Sequence, residues 1–443
     1  MSLSTQPYKG SRDFYPKDKR VLNYIFSIWQ KSCLSFGYEQ YDAPMIEPAD
    51  LYAAKSSNEI VNEQTYIFKD RGDRDVVIRP EMTPSVSRMV AAKRQELAYP
   101  LRLFSIPNVW RYERPQKGRL REHWQLNADL FGLEDLSGDY EIIMLADTIM
   151  QNFGASREEY LIKISSRKLI NFILTDYLHL SDEESADVIR LIDKKDKMPS
   201  DTFEKLISES LVLAAERDNQ ILGNLFGILR VNNLEDLPEI VKNNDSFKQI
   251  GELASMLKDS GLVNAKFDIT LMRGFDYYTD IVFEVYDTDP SNNRSLFGGG
   301  RYDGLVGLFG VEPVPTVGFG MGDVTIRDFL ETHKLLPELV CEIDAVVIPI
   351  GLTVVNIQGI LKTLRDDGAR VAVDPSDKKI DKKIKNASKM GVKHVVFIGQ
   401  DELVSKVFKV KDLETGEEIN DEIMGVSSII QSDRWHNITD EED

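Results

Sequence analysis

At 443 residues, 42% of them hydrophobic and 29% charged, the chain has the length of two or three domains and the composition of an ordinary globular protein. A net charge of −19 argues against a general nucleic-acid binder, while still allowing a local basic surface, because screening confines each patch to ~10 Å. Two distant cysteines, Cys33 and Cys341, exclude a disulfide framework, and the histidines lack metal-ligand spacing; no long apolar run or leader pattern is present, which predicts a cytoplasmic protein without a structural metal.

Helical periodicity through Val21, Ile25, Ile28 and Leu34 predicts a helix over 18–36, ended by Gly37. The strand GYEQYDAPMIEP follows and stops on Pro44 and Pro48. Two short strands, Thr65–Lys69 and Asp75–Arg79, flank the turn Arg71-Gly72-Asp73 and lead into Arg79-Pro80-Glu81-Met82-Thr83, where a helix starts. Glu81 and Thr83 read there either as dipole and capping residues or as side chains of a site.

The stretch Trp110–Gly132, WRYERPQKGRLREHWQLNADLFG, reads as two strands joined by a long basic loop. Alternation from Leu101 puts Arg102, Phe104, Ile106, Asn108 and Trp110 on one face, and Leu103, Ser105, Val109, Arg111 and Glu113 on the other. On the return strand Trp124, Leu126, Ala128 and Leu130 form an apolar face opposite His123, Gln125, Asn127 and Asp129. Such a polar row is either a solvated ribbon or the floor of a site, because burying it against nothing polar is costly. The loop from Arg114 to Arg121 holds four cations and one proline, a composition that suits phosphate contact or a solvated turn.

From about Ser166 to Gly261 the pattern is helical, with an apolar stripe at Leu169, Ile173, Leu174 and Tyr177, and reads as an inserted subdomain. Sheet character returns over 267–286. Phe267, Ile269 and Leu271 share a face, which puts Arg273 in register with buried positions at a strand end. A buried arginine there needs an anion, supplied by a ligand or by Asp276. FGGGRYDGL reads as a glycine-rich turn leading into a helix, without the spacing of a phosphate loop. TVGFGMGD reads as a strand whose Gly318, Gly320 and Gly322 leave one face bare for a flat ligand or another backbone.

From Ile343 strands and helices alternate, which predicts a small α/β domain with a largely parallel sheet. In its second helix, 378–390, Ile380, Ile384 and Ala387 face the core. Lys378, Lys382, Lys385, Lys389 and Lys393 run along another face, either solvated or in contact with phosphates. The tail Thr439–Asp443 reads as disordered.

Nearly the whole chain resembles the class II aminoacyl-tRNA synthetases, and among them the histidyl-tRNA synthetase family. The resemblance is carried by YKGSRDFYP, the Pro44 strand, IRPEMT, the RPQKGR loop and, most specifically, RGFDYY and GGGRYDGL. It implies an α+β catalytic domain on a mainly antiparallel sheet flanked by helices (1–165 and 262–335). A helical insertion (166–261) and a C-terminal α/β anticodon-binding domain (342–438) complete it. It also implies that L-histidine and ATP, with Mg²⁺, give an adenylate whose aminoacyl group passes to tRNA(His), in a homodimer built through the Pro44 unit.

Residue by residue, Arg111 and Arg273 resemble the catalytic arginines on the α-phosphate and carboxylate. Glu81, Thr83 and Gln125 match positions around the substrate's α-amino group; Asp129, Tyr277 and Tyr278 match its imidazole pocket. Glu113, Arg119 and His123 match ATP positions, with His123 where the family has an adenine-stacking phenylalanine. Arg114 and Gln116 match contacts to the tRNA acceptor end, and Lys382, Lys385 and Lys389 are the basic candidates for the anticodon side. One departure concerns the γ-phosphate. Where the family carries Glu-Arg, this chain reads Val324-Thr325, and Arg327 lies two residues on, about 200° round a helix. The alternative is a non-catalytic paralogue, the regulatory subunit of ATP phosphoribosyltransferase. That relative usually lacks the C-terminal domain and departs from the histidine signatures.

Overall fold

The computed structural model describes residues 3–53, 64–116, 118–195, 198–272, 277–292 and 294–439. The chain divides into two units, Met1–Leu336 and Pro337–Asp443. In the first, the strands are β1 (Glu39–Gln40), β2 (Ile46–Pro48), β3 (Tyr66–Lys69), β4 (Asp75–Ile78), β5 (Leu101–Ser105), β6 (Asn108–Trp110), β7 (Glu122–Phe131), β8 (Tyr160–Ser166), β9 (Ala265–Phe267), β10 (Ile281–Asp287), β11 (Ser295–Arg301) and β12 (Thr316–Gly322). A nine-stranded sheet runs β1-β5-β7-β12-β11-β10-β8-β9, with β6 extending the ladder on β7. Only the β1–β5 and β8–β9 pairs are parallel, so the sheet is mainly antiparallel, as expected.

One face of this sheet is the core. Phe104, Leu126, Ala128, Leu130, Phe283, Phe319 and Met321 are buried with Ile25 and Trp29 of the helix Pro16–Ser35 and Ile142, Leu145 and Ile149 of the helix Leu136–Asn152. Pro16 suits the first helix's opening turn, and its buried residues fall at Leu22, Ile25, Ile28, Trp29, Ser32 and Cys33. Leu34, expected on that stripe, is 54% exposed, because continuing the 3.6-residue period from Trp29 selects Cys33.

The hairpin's first strand is interrupted. Pro107 offers no N–H, the ladder breaks at Ile106-Pro107, and pairing resumes with Asn108 opposite Trp124. Two further expectations are corrected. FGGGRYDGL is not a turn: Ser295–Arg301 is a central strand between β10 and β12. A Cβ on Gly299 would lie 2.0 Å from the Gly318 carbonyl oxygen, so glycine there permits close strand approach rather than chain reversal. The strand expected from Phe267 to Arg273 ends at Phe267. Asp268 accepts from the Thr270 backbone N–H at 2.9 Å and pairs with Lys163, which turns the chain off the sheet. Arg273 and Asp276 lie outside the described residues.

The helical stretch opens at Arg167, capped by the Ser166 hydroxyl, which accepts from the Leu169 N–H at 3.2 Å. It continues to Asp259, with Leu169, Ile173 and Leu174 buried. Beside the main sheet, β2, β4 and β3 form a separate antiparallel sheet.

The second unit holds β13 (Ala345–Pro349), β14 (Val371–Val373), β15 (His394–Ile398), β16 (Val407–Asp412) and β17 (Glu418–Glu422) in the order β14-β13-β15-β16-β17. The first three are parallel, as the alternation predicts; β16 and β17 add an antiparallel edge that it did not. In the helix Ile380–Lys389, Ala387 is buried as expected, but Ile380 is 40% exposed. Lys383 is buried instead, because its ammonium donates to the Asp374 carbonyl at 3.0 Å. Asp440–Asp443 lie outside the described residues.

Candidate active site

The face of the main sheet opposite the core carries the candidate site residues of the hairpin. Register places Gly318 opposite Asp129, Gly320 opposite Asn127 and Gly322 opposite Gln125, with Gly300 and Gly298 continuing the bare strip on β11. Side chains lean into that strip. A Cβ on Gly318 would meet Asp129 Oδ1 at 2.6 Å and the Tyr302 hydroxyl at 2.7 Å, and one on Gly320 would meet Gln125 Nε2 at 2.6 Å. The polar row of the hairpin therefore lies against a glycine strip, with Asn127 and Asp129 buried, and is not a solvated ribbon.

Asp129 is its most perturbed member. The Tyr302 hydroxyl donates to Oδ1, while Oδ2 is buried without a hydrogen-bond partner among the described residues, as are the Tyr41 hydroxyl and Ser105 Oγ. Burial, with the nearby Tyr302 and Tyr41 hydroxyls opposing and the charge of Glu81 adding, pushes the Asp129 carboxyl up to about 7. Tyr302 itself is raised well above its ordinary value by burial and by Asp129. Its ring packs with those of Tyr277 (5.6 Å between centroids) and Tyr278 (6.2 Å), and Tyr278 covers Gly300.

Glu81 joins the same wall. It is buried, and its Oε2 accepts from the Tyr277 hydroxyl at 3.1 Å. The helix Thr83–Ala92 has Met82 at its N-cap and no side-chain cap, so neither Glu81 nor the buried Thr83 serves as a capping residue. The chain therefore brings together Glu81, Gln125, Asp129, Tyr277 and Tyr278, and adds Tyr302, Tyr41 and Ser105, which sequence reasoning missed. The signal for Tyr302 was its place two residues after the glycine run, in phase with Gly300 and Gly298.

Further along the hairpin, Arg111 is half-buried and donates from Nε to the Pro80 carbonyl at 2.9 Å. Arg119 forms an ion pair with buried Glu113 at 2.9 Å, so two residues expected on ATP hold each other here. Arg114 and Gln116 are exposed, and Gln116 exchanges backbone hydrogen bonds with Arg119 at the loop tip. His123 is half-buried beside Gly322. Burial, then the Arg111 and Arg12 charges, pushes its imidazole down to about 3, so the ring is neutral and free to stack.

Thr325 stands on the helix Asp323–Thr332, donating to the carbonyls of Leu296 (2.7 Å) and Gly322 (3.2 Å). Arg327 is committed elsewhere, to Glu331 at 2.8 Å and Asp18 at 3.7 Å. Arg12 holds Asp323 at 2.7 Å, and the other oxygen of Asp323 accepts from the Trp124 N–H. In the second unit, Lys382, Lys385 and Lys389 are all exposed on one helix. A separate cavity of about 250 Å³ lies around Arg301. Its carboxylates Asp139 and Asp280 are paired with Arg301 and Lys168, so it is part of the fold's internal salt-bridge network.

Comparison with known proteins identifies the family. A family model for histidyl-tRNA synthetase matches residues 10–324, and one for an anticodon-binding domain matches 344–432. The histidine–tRNA ligase of Leptospira biflexa is 42% identical over 93% of this chain and 94% of its own length. That of Thermoplasma volcanium is 36% identical over 94% and 96%. A solved structure of histidyl-tRNA synthetase from Nostoc superposes with a TM-score of 0.79, covering 97% of this chain and all of its own at 19% identity, a likeness of fold. The chain belongs to the histidyl-tRNA synthetase family.

Proposed function

We propose that the protein is a histidine–tRNA ligase, which activates L-histidine with ATP and transfers it to the 3′ end of tRNA(His). The observation that carries this reading is the pocket wall in which buried Asp129 keeps one oxygen unpartnered beneath Tyr302, Tyr277 and Tyr278. The Tyr41 hydroxyl lies near Asp129 without forming a well-aligned hydrogen bond, so the carboxylate keeps capacity for a further donor, and an imidazole N–H supplies one. Amino acids without that donor leave Asp129 unpaired, which supports discrimination of roughly 10⁴-fold.

In this reading the substrate's α-amino group lies against Glu81, Thr83 and Gln125. Its carboxylate oxygen attacks the α-phosphorus, the bond to the β-phosphate oxygen breaks, and pyrophosphate leaves. Arg111 and Arg273 neutralise the charge that develops at that phosphate. ATP enters as its magnesium complex, its adenine on the neutral His123 ring near Glu113. The terminal 3′-nucleotide's hydroxyl then attacks the adenylate carbonyl, and AMP departs. No side-chain nucleophile is needed; the protein supplies position and charge.

Arg114 and Gln116 meet the acceptor end of the tRNA, and Lys382, Lys385 and Lys389 meet its anticodon side. The match over 344–432 supports the tRNA-charging reading over the phosphoribosyltransferase regulator. We assign 166–261 as an insertion in a catalytic domain formed by 1–165 and 262–335, with 342–438 as the anticodon-binding domain. A homodimer is supported by the apolar residues on the small β2-β4-β3 sheet, where Ile46 is 51% and Phe68 42% exposed. Sedimentation of the purified protein tests this, with a single monomeric species as the contrary result. No helix among the described residues is long and apolar enough to cross a membrane, and we place the protein in the cytoplasm.

The test of the function is charging. Radiolabelled histidine should become acid-precipitable on a tRNA(His) transcript and not on a tRNA for another amino acid. Folded protein that charges neither transcript would contradict it.

A further inference from the structure

We propose that Arg294 supplies the positive charge for the terminal phosphates of ATP in place of the arginine that position 325 lacks. This assignment rests on the activation reaction proposed above and extends it by one residue.

Thr325 cannot serve as that cation. It is uncharged, and its hydroxyl is already donated to the Leu296 and Gly322 carbonyls. The region around it is defined by three contacts. The first is Leu296 on β11. The second is the tip of the hairpin loop, where a Cβ on Gly118 would lie 3.8 Å from Thr325 Cγ2. The third is Gly322 beside His123. Arg294 joins two of these parts. It precedes Leu296 by two residues, and its guanidinium donates to Gln116 Oε1 at 3.2 Å on the loop tip.

The strand start is irregular at this point. Val285 pairs with Phe297 and Tyr286 with Ser295, so Leu296 is the extra residue of a bulge. Bulges bend a strand and re-aim the side chains beside them, commonly next to active sites.

The neighbouring cations differ in what already holds them. Arg327 is paired with Asp18 and Glu331, Arg119 with Glu113, and Arg12 with buried Asp323. Among the described residues, Arg294 donates to a neutral amide and forms no ion pair. Its charge is available at no cost of a broken salt bridge. An exposed guanidinium beside a loop that carries Arg114 and Arg119 suits a phosphate tail with several oxygens.

The experiment is histidine-dependent ATP–pyrophosphate exchange with Arg294→Gln, together with binding of a non-reactive histidyl-adenylate analogue. The analogue has no β- or γ-phosphate, so it separates a phosphate contact from damage to the pocket. The expected result is a rise of about tenfold or more in the KM for both ATP and pyrophosphate. Analogue affinity should stay within about twofold of wild type, and Arg327→Gln should leave both KM values unchanged. Adding Thr325→Arg to Arg294→Gln should recover most of the loss, by returning a cation to the same phosphates. Unchanged KM values for ATP and pyrophosphate in Arg294→Gln would overturn the assignment, as would a parallel loss of analogue affinity. Wild-type protein without exchange would instead overturn the activation reading, and this assignment with it.

Discussion

The Tyr277 hydroxyl donates to Oε2 of Glu81 at 3.1 Å, joining two turns 196 residues apart in sequence. One turn enters the helix at Thr83 and the other precedes β10, so this hydrogen bond ties together the two segments proposed to bind histidine. Tyr277→Phe removes one donor from a buried carboxylate, which costs about 1–3 kcal/mol. The KM for histidine should therefore rise about tenfold in steady-state exchange, with the KM for ATP little changed. An equal rise in both would contradict a local role for this contact.

Asp129 gives a pH prediction with a definite sign. Its folded pKa of about 7 lies above the ordinary carboxylate value of 3.8, so folding takes up a proton between those values. Stability contributed by the protonated group is present below about pH 4 and is lost as pH rises through 7. Asp129→Asn keeps a neutral side chain at every pH. Relative to wild type the variant should gain stability between pH 5 and pH 8, by about 2.5 kcal/mol. Urea melts at the two pH values measure this, and a difference independent of pH would refute it. The same variant should activate histidine poorly at both, because the imidazole N–H loses its anionic acceptor.

Glycines of the sheet and of the helices differ sharply in what a methyl group would meet. Gly299→Ala drives a Cβ to 2.0 Å from the Gly318 carbonyl oxygen, inside a central strand pair. It should destabilise the catalytic unit by about 2 kcal/mol or more, as overpacking with backbone displacement does. Gly223 lies on a helix with nothing within 4 Å of its Cβ position. Gly223→Ala should stabilise by up to ~1 kcal/mol. Thermal melts of the two variants moving together would contradict this reading of the sheet.

Charge reversal of Lys382, Lys385 and Lys389 should weaken tRNA charging strongly while leaving histidine-dependent exchange near wild type, since all three are exposed on the second unit. The loss should also shrink as salt is raised, because phosphate contacts are screened. Equal losses in charging and exchange would remove these lysines from tRNA binding.

Much of this site was legible in the sequence because β alternation has only two phases. Once the apolar side of the hairpin is recognised at Leu126, Ala128 and Leu130, Gln125 and Asp129 must share the opposite face. What was not legible depended on contacts between distant segments. GGGR has the composition of a turn, and only the facing glycine strand makes it the middle of a sheet. In RYDG, Arg301 points away from the cleft to buried Asp139, while the adjacent Tyr302 points to Asp129, a division of labour that local pattern does not encode. Ile380, expected in the core, is exposed, while Lys383, for which the pattern gave no position, is buried with its ammonium donating to a carbonyl. Phe267–Leu271 kept the alternation of a strand, yet Asp268 satisfied the next backbone N–H groups locally.

The central claim is that this cleft activates histidine. It is tested most directly by histidine-dependent ATP–pyrophosphate exchange with the purified, folded protein in the presence of Mg²⁺. The account predicts exchange that requires histidine, is not supported by other amino acids, and is abolished in Arg111→Ala. Exchange no higher than background with histidine present, from protein shown to be folded, would contradict it.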